Sequence, residues 1–237
     1  MLSDLSAGPR FKTRPRSFFG AGVVMIWSVP KRWVGETAFV IAGGPSVDFE
    51  DVTKLRGRRV IVVNSSYEIA PDFAAYCFFG DLRWWELHSE RPAFKAFKGR
   101  FVSCSRSAHG EGLLKLNRIA PNINEKAGGI GPGLSLDPRS VVCQRTSLQG
   151  AMNLAFHLGA AKIVLVGADM GRAADGRSHH HTPHPWENKP GNRTWDIQMT
   201  QLRLIAEPLE RFGVKVVNTS PVSRIDWWPK ARLADFY

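Results

Sequence analysis

Short apolar runs that end at small polar residues recur along this sequence, and they constrain its fold more than any other feature. The main runs lie at 37–42, 60–63, 73–79, 163–166 and 214–217, with shorter ones at 101–104 and 140–143. Continuous apolar runs of this length are typical of strands buried on both faces of a parallel sheet. Alternating with helical stretches, they predict one α/β domain with a mainly parallel sheet and helices on both faces.

Helical periodicity and glycine stops predict the elements between these strands. A short turn is predicted at Tyr67–Ala70, and Pro92 is expected to interrupt one helix and Pro208 to kink another. The predicted helices are Asp48–Leu55, Leu82–His88, Glu90–Phe97, Ser147–Leu158 and Trp195–Phe212.

The ends of the domain follow from composition. Residues 1–33 are rich in Gly, Pro, Ser and basic residues without periodicity, which predicts a basic N-terminal arm followed by one domain over 34–237. Within that domain, 108–138 shows no regular pattern and includes the glycine-rich stretch Gly128–Gly133. We interpret that stretch as a loop beside the site or a lid.

Charge and cysteine content limit the partners and the compartment. The net charge of +11 favours anionic partners such as nucleotides, acidic glycans or nucleic acid, so nucleic-acid binding stays open. No apolar run is long enough to span a membrane. Cys77, Cys104 and Cys143 are far apart and suggest neither a disulfide framework nor a metal site. These features predict a cytoplasmic protein.

The stretch Val40-Ile-Ala-Gly-Gly-Pro-Ser46 joins the first predicted strand to a helix through two glycines. Glycines allow a ligand to approach the backbone, and a helix start beyond them favours an anion. The stretch is neither a P-loop nor G-x-G-x-x-G, so a tight turn with no ligand remains an alternative. Because ligands bind beyond the carboxyl ends of parallel strands, we predict phosphate binding here.

Other strand ends carry similar polar residues, which would lie at the same edge of the sheet. Each could equally cap a helix or end a strand without touching a ligand. Asp81 and Asp169 could also share a magnesium ion carried by a pyrophosphate. The strand-end set is Asn64–Ser66, Asp81, Thr146-Ser147, Asp169 and Asn218–Ser220.

A polar loop, Arg177-Ser-His-His-His-Thr-Pro-His184, gathers four histidines. A neutral histidine can take a proton from an attacking hydroxyl, and a charged one can bind phosphate. A zinc site and a solvent-exposed polar loop are the two other interpretations.

Together these pieces resemble the bacterial sialyltransferases that use CMP-sialic acid, which share a single Rossmann-like domain. The chain is similar also to the wider group around motility accessory glycosyltransferases and archaeal hydroxymethyl-dihydropterin diphosphokinase, which includes many uncharacterised phage and prophage proteins. The resemblance covers roughly residues 37–220. It is carried by Val40–Ser46, Asn64, Thr146–Asp169, Arg177-Ser-His, His184 and Val214–Ser220.

The resemblance implies a nucleotide-activated donor and, most simply, a glycosyltransferase. His184 matches the general base best and His180 comes next, with Asp169 as a third candidate catalytic residue. The resemblance assigns the donor nucleotide to the strand-end groups, which we take as Gly43, Gly44, Pro45, Ser46, Asn64, Ser65, Asp81, Thr146 and Ser147.

One departure weakens the comparison with the sialyltransferases. In this sequence we take the lid-like loop as about 170–193. The lid of the sialyltransferases carries tyrosines that stabilise the leaving phosphate, whereas Met170–Gly176 contains no tyrosine. Arg172, Arg177 or Trp186 could substitute for those tyrosines.

Two other functions therefore stay open. An ATP- and Mg²⁺-dependent pyrophosphokinase would use Asp81 or Asp169, whereas the glycosyltransferase requires no cofactor. A non-catalytic nucleotide or nucleic-acid binder would use the basic arm, with Trp84-Trp85 or Trp227-Trp228 as stacking surfaces. The acceptor and the oligomeric state are left undetermined, and a phage-encoded protein would act in the host cytoplasm.

Overall fold

A computed structural model describes residues 25–120, 132–186 and 193–237, and its centre is a parallel sheet. Seven strands form this sheet, and two further strands, β6 (Asn117–Ile119) and β7 (Ser140–Val142), pair separately. The seven are β1 (Thr37–Ile41), β2 (Arg59–Val63), β3 (Tyr76–Phe79), β4 (Arg100–Ser103), β5 (Leu114–Lys115), β8 (Lys162–Val166) and β9 (Lys215–Asn218).

The seven strands lie in the order β5-β4-β3-β2-β1-β8-β9, and each named pairing among the described residues is parallel. The fold is therefore a single Rossmann-like α/β domain with a mainly parallel sheet, which confirms the predicted class. Because the chain builds outward from β1 to β5 and then returns to add β8 on the other side of β1, the order reverses between β1 and β8.

Helices cover both faces of the sheet. Residues of β1 alternate between two apolar clusters: Val40 packs towards α4 and α6, while Phe39 and Ile41 pack towards α1 and α2. Burial on both faces explains why the strands read as continuous apolar runs. The helices are α1 (Phe49–Thr53), α2 (Leu82–His88), α3 (Pro92–Ala96), α4 (Ser147–His157), α5 (Arg193–Arg203) and α6 (Ala206–Arg211).

Two proline predictions were wrong. Pro92 begins α3 instead of interrupting a helix, since the first turn needs no N–H from that residue. The predicted helix Trp195–Phe212 is divided into α5 and α6, and the break lies at 204–205 rather than at Pro208, which occupies the first turn of α6. The break brings the carbonyl of Leu204 so close to Gly133 that a Cβ there would lie 2.0 Å from the carbonyl oxygen.

Other boundaries differ from the sequence prediction. The strand predicted at 140–143 exists as β7, but it pairs with β6 outside the main sheet, and β6 itself had no sequence signal. The turn predicted at Tyr67–Ala70 begins earlier, as a 3₁₀ turn over Asn64–Glu68. A second 3₁₀ turn covers Leu233–Phe236.

The predicted arm and glycine-rich loop are only partly described. Residues 1–24 and 121–131, with most of Gly128–Gly133, lie outside the described residues. Of the remaining arm, Trp27 N–H donates to Lys115 O at 2.7 Å and Trp33 N–H donates to Leu158 O at 2.7 Å. Among the described residues, no helix combines the length and apolar character that crossing a bilayer requires.

Helix α4 packs on the sheet through Gly150, where a Cβ would lie 2.4 Å from the ring of Phe78. Gly150→Ala should therefore destabilise the fold by roughly 1–3 kcal/mol through overpacking, although alanine normally strengthens a helix relative to glycine. Urea denaturation measures the difference. Gly171→Ala is the control, because a Cβ there would meet the flexible side chain of Arg224 at 3.3 Å and the carbonyl oxygen of Asp169 only at 3.9 Å. A stabilised Gly150→Ala variant would contradict this packing.

Candidate active site

The candidate site lies where the strand order reverses, at the carboxyl ends of β1 and β8. Ligands of open parallel sheets bind in the crevice at such a switch point. The glycine turn Gly43–Ser46 follows β1, and Gly167–Asp169 follows β8. The two segments touch, because Gly44 N–H donates to Gly167 O at 2.9 Å.

Gly44 has no space for a side chain. A Cβ there would lie 2.3 Å from Gly167 O and 2.6 Å from Asp169 Cγ. The close approach of β1 and β8 beyond the sheet therefore requires glycine at this position, which accounts for one of the two glycines in the turn.

Asp169 joins three strand ends. Its buried carboxylate accepts from Ser46 N–H at 2.7 Å, from the Ser46 hydroxyl at 2.5 Å and from the Ser220 hydroxyl. Ser46 follows β1, Asp169 follows β8 and Ser220 follows β9. The contacts make Asp169 a group that positions the glycine turn, while its predicted catalytic or metal role stays a prediction.

Amide groups of the glycine turn are already engaged. Ser46 N–H bonds Asp169, Gly44 N–H bonds Gly167, and Val47 N–H donates to Gly44 O at 3.3 Å. Pro45 has no N–H and is buried. An amide cradle for phosphate, as the sequence suggested, is thus not formed by these three amides in this conformation.

The histidine loop lies directly on the glycine turn. His180 N–H donates to Gly43 O at 3.1 Å, and a Cβ on Gly43 would lie 3.2 Å from His179 Cδ2 and 3.3 Å from His181 Nε2. Two segments more than 130 residues apart in sequence therefore meet at one edge of the sheet. The loop's neighbour Trp186 stacks on His184 at 4.9 Å between ring centroids.

Two adjacent serines of the 3₁₀ turn hold two of these rings. Ser66 Oγ lies 3.0 Å from His180 Nε2, and Ser65 Oγ lies 3.5 Å from His184 Nε2. This turn begins immediately after β2, so the carboxyl end of a third strand contributes to the same site.

His88 joins the cluster without any signal in the sequence. It is buried in the last turn of α2, where it stacks on Trp84 at 4.5 Å and lies 5.6 Å from the ring of His184. In the sequence it is one residue of an amphipathic helix. The other histidines of the cluster come from the loop after β8, and no local sequence pattern reveals that His88 lies beside them.

Burial keeps the cluster neutral. Desolvation, followed by repulsion from neighbouring cationic groups, lowers the pKa of His88 and His179 to about 3 and that of His180 and His184 to about 4. Burial also lowers the pKa of His181. These imidazoles are therefore uncharged near pH 7 and can accept protons. In the described part of the chain, no group of three or more His, Cys, Asp or Glu side chains is arranged to hold a metal.

Backbone strain marks the same edge. Within the described ranges, three non-glycine residues have positive φ: Asn64 at 52°, Arg145 at 65° and Met170 at 53°. Asn64 follows β2, Met170 follows the β8 segment, and Arg145 precedes α4. Asn64 Oδ1 is buried without a hydrogen-bond partner among the described residues. Strain and unmet polar groups of this kind collect at functional sites.

Asp81, Thr146 and Ser147 lie around the carboxyl end of β3. Asp81 accepts from Arg83 N–H at 2.9 Å and Thr146 Oγ1 from Leu148 N–H at 3.3 Å, so both cap helices. A Cβ on Gly80 would lie 3.5 Å from Ser147 Oγ. Asp81 and Asp169 end strands three steps apart in the sheet, about 14 Å by strand spacing, so the structure does not bring them together around one ion.

Arg172 and Arg177 are exposed on the loop after β8. Arg177 pairs with Asp175 at 2.6 Å, and Arg172 donates to Gly176 O at 2.9 Å and lies over Trp195. Residues 187–192 of the predicted lid-like loop lie outside the described residues. The role of these arginines at a leaving phosphate stays a prediction.

Arg118 is a cation that the sequence analysis missed. It reaches from β6 to the carboxyl end of β3, donating to Gly80 O at 2.7 Å, and a Cβ on Gly80 would lie 2.7 Å from its Nη2. Its Nη2 also lies 3.8 Å from Cys143 Sγ. None of the ion pairs among the described residues includes Arg118.

Two solved structures share the fold of this chain. It is similar to the MAf glycosyltransferase from Magnetospirillum magneticum AMB-1, with TM-score 0.59 and 14% identity over 89% of this chain. It is similar also to the sialyltransferase CstII from Campylobacter jejuni, solved with the substrate analogue cytidine-5′-monophosphate, with TM-score 0.50 and 12% identity over 84% of this chain.

At these identities the similarity establishes the fold alone. The match spans 36% of the MAf chain and 86% of the CstII chain. No family model and no curated protein matches this sequence.

Asp169→Asn should destabilise the protein by about 1–3 kcal/mol, because charge-assisted hydrogen bonds to Ser46 and Ser220 become neutral ones. Asp81→Asn is the matched control, and it should change stability by less than about 0.5 kcal/mol, since asparagine caps a helix as well as aspartate. Urea denaturation of both variants measures the effect. Equal stability changes would contradict the joining role of Asp169.

As the pH falls, the free energy of unfolding should begin to decrease at a higher pH than the titration of carboxylates alone would cause. The unfolded chain has ordinary histidines of pKa 6.5, whereas in the folded protein the pKa of His88 and His179 is about 3 and that of His180 and His184 about 4, so the unfolded state binds more protons between these values. Stability is fully present above pH 6.5 and should fall steadily towards pH 4. Urea midpoints between pH 7 and 4.5 measure this, and His184→Gln should reduce the slope. A constant urea midpoint would contradict a neutral, partly buried cluster.

Proposed function

We propose that this protein is a glycosyltransferase that moves a sugar from a nucleotide-activated donor to an acceptor hydroxyl. His184 is the general base in this proposal, and His180 is the second candidate. The observation that carries the proposal is the contact of the histidine loop with the glycine turn at the switch point of the sheet. There, neutral imidazoles lie beside the edge at which α/β folds bind nucleotides.

The donor fits best beside the ends of β2 and β3. Asn64 offers an unpartnered amide oxygen there, and Ser147 stands at the N-terminus of α4, where an anion is favoured. Arg118 reaches the same strand end through Gly80 O. A nucleotide phosphate between Ser147 and Arg118 would be stabilised as the leaving group, whereas Asn64 Oδ1 accepts from a hydroxyl or amino group of the nucleotide. The complex of CstII with cytidine-5′-monophosphate makes a CMP-linked donor the first to test.

In the transfer reaction, His184 acts on the acceptor and the phosphate-binding groups act on the leaving nucleotide. The acceptor hydroxyl gives its proton to His184 while its oxygen attacks the anomeric carbon of the sugar. The bond between that carbon and the phosphate oxygen breaks, and the nucleotide leaves with the electron pair. No observation among the described residues favours the magnesium-dependent pyrophosphokinase, because Asp81 and Asp169 end strands far apart.

His184→Gln should lower kcat by roughly 10²–10⁴-fold, because the proton acceptor is lost, while the dissociation constant of the nucleotide stays unchanged. Release of CMP, UMP or GMP measures turnover, and isothermal titration calorimetry measures binding. His109→Gln, an exposed histidine outside the cluster, is the control. Wild-type activity should persist to about pH 5 and fall below it, since the pKa of His184 is lowered to about 4 and the base works only when neutral.

Two results would overturn the proposal. Unchanged turnover in His184→Gln would remove the general base, and His180→Gln then tests the second candidate. Failure of CMP, UMP, GMP and ATP to bind would remove the nucleotide donor altogether.

A further inference from the structure

We propose that Ser65, His88, Tyr67 and Glu68 form a hydrogen-bonded chain that fixes the tautomer of His184 and so selects Nδ1 as its basic nitrogen. The tautomer follows from the contacts alone, and its use in catalysis rests on the proposed function. The four residues are positioning residues, because they act through His184 and need not touch a substrate.

The chain runs from the loop after β8 to the protein surface. His184 Nε2 lies 3.5 Å from Ser65 Oγ, and Ser65 Oγ lies 3.3 Å from His88 Nε2. The other nitrogen of that ring, His88 Nδ1, lies 2.9 Å from the hydroxyl of Tyr67, which lies 3.1 Å from Glu68 Oε1. Ser65, His88 and Tyr67 are buried, whereas Glu68 is exposed.

Glu68 orients the surface end of the chain. A carboxylate accepts and cannot donate, so the contact between Tyr67 and Glu68 is a hydrogen bond only when the Tyr67 hydroxyl gives its single proton to Glu68. Tyr67 can then only accept from His88, which places a proton on His88 Nδ1. Glu68 Oε1 also lies 3.5 Å from the guanidinium of Arg91, a position that suits a charged carboxylate.

The inner end is oriented by Trp84. Its indole N–H donates to Ser65 Oγ at 3.1 Å and cannot accept. A neutral His88 with its proton on Nδ1 has an accepting Nε2, so the Ser65 hydroxyl donates to it. The remaining lone pair of Ser65 must accept from His184 Nε2–H. His184 therefore carries its proton on Nε2 and its lone pair on Nδ1.

Neutrality of His88 is the condition for this assignment, because a charged ring would donate from both nitrogens and reverse Ser65. Burial lowers the pKa of His88 to about 3, with Arg91, His184 and His181 adding repulsion. Burial, with the Glu68 carboxylate beside the hydroxyl, also raises the pKa of Tyr67, so its hydroxyl keeps its proton near pH 7.

The chain has a consequence for proton transfer. When His184 Nδ1 takes the acceptor's proton, the ring becomes positive and its Nε2–H bond to Ser65 strengthens. The bonds onward to His88, Tyr67 and Glu68 polarise in the same direction, towards a negative charge at the surface. The proton stays on Nδ1 until product leaves and then passes to solvent, so no group in the chain changes its own proton.

The tautomers can be observed directly by ¹⁵N NMR of the full-length protein labelled in histidine, at pH 7 and without substrate. We expect His88 as the Nδ1–H form and His184 as the Nε2–H form, with the His184 signals assigned by their loss in His184→Gln. A His184 ring with its proton on Nδ1, or a rapidly exchanging mixture, would overturn the proposal.

Tyr67→Phe removes the hydroxyl that orients His88 and keeps the ring packed against its aromatic neighbours. We expect the single tautomers of His88 and His184 to become mixtures and kcat to fall about 10- to 100-fold, with the KM for donor unchanged. Tyr76→Phe, at another buried tyrosine, is the matched control and should change neither. A Tyr67→Phe protein with both tautomers and kcat unchanged would overturn the proposal.

Glu68→Ala provides a second variant on an exposed residue, so loss of folding is not expected. Without the carboxylate, Tyr67 is free to donate to His88 Nδ1, which would reverse the chain and move the proton of His184 to Nδ1. We expect partial reversal in the NMR spectrum and reduced kcat, and an unchanged spectrum would overturn the proposal. If the wild-type tautomers are as stated but His184→Gln is fully active, the general-base role fails while the chain stands.

Discussion

The carboxylate of Asp169 holds the candidate site together. It binds the backbone and hydroxyl of Ser46 and the hydroxyl of Ser220, and so joins the ends of β1, β8 and β9 beyond the hydrogen bonds of the sheet. With Gly44 pressed against Gly167, the glycine turn has one position relative to β8. The histidine loop emerges from that same strand end, so its place over Gly43 follows from this junction.

The histidine cluster combines chemical usefulness with a stability penalty. The five rings lie close together, His88 buried and the four loop histidines partly buried, and each would repel its neighbours if charged, which keeps them neutral near pH 7. Neutral rings can accept protons and can be oriented by single hydrogen bonds. Because of the same burial, the rings can be protonated only if the loop opens. The packing of the histidine loop therefore determines both the ability of the rings to accept protons and the stability of the fold in acid.

The 3₁₀ turn after β2 organises the other side of the site. Asn64 adopts a strained backbone, and the two serines after it turn towards His184 and His180. Ser65 also accepts a hydrogen bond from the buried Trp84. The direction in which the Ser65 hydroxyl gives its single proton therefore links the interior of the domain to the tautomer of His184. This short polar turn after β2 therefore contacts both helix α2 and the loop after β8.

By itself the sequence determined the parallel sheet, the glycine turn and the location of His180 and His184 at the same edge. Continuous apolar runs indicate strands buried on both faces, and the polar residues after them indicate where each strand ends. Only the tertiary structure decided that Asp169 binds Ser46, that His88 and Arg118 reach the site, and that the helix at 193–211 breaks before Pro208. Periodicity reports how much of a residue is buried, but not which distant residue buries it. Hydrogen-bond partners across a sheet are set by strand order, which local spacing does not contain.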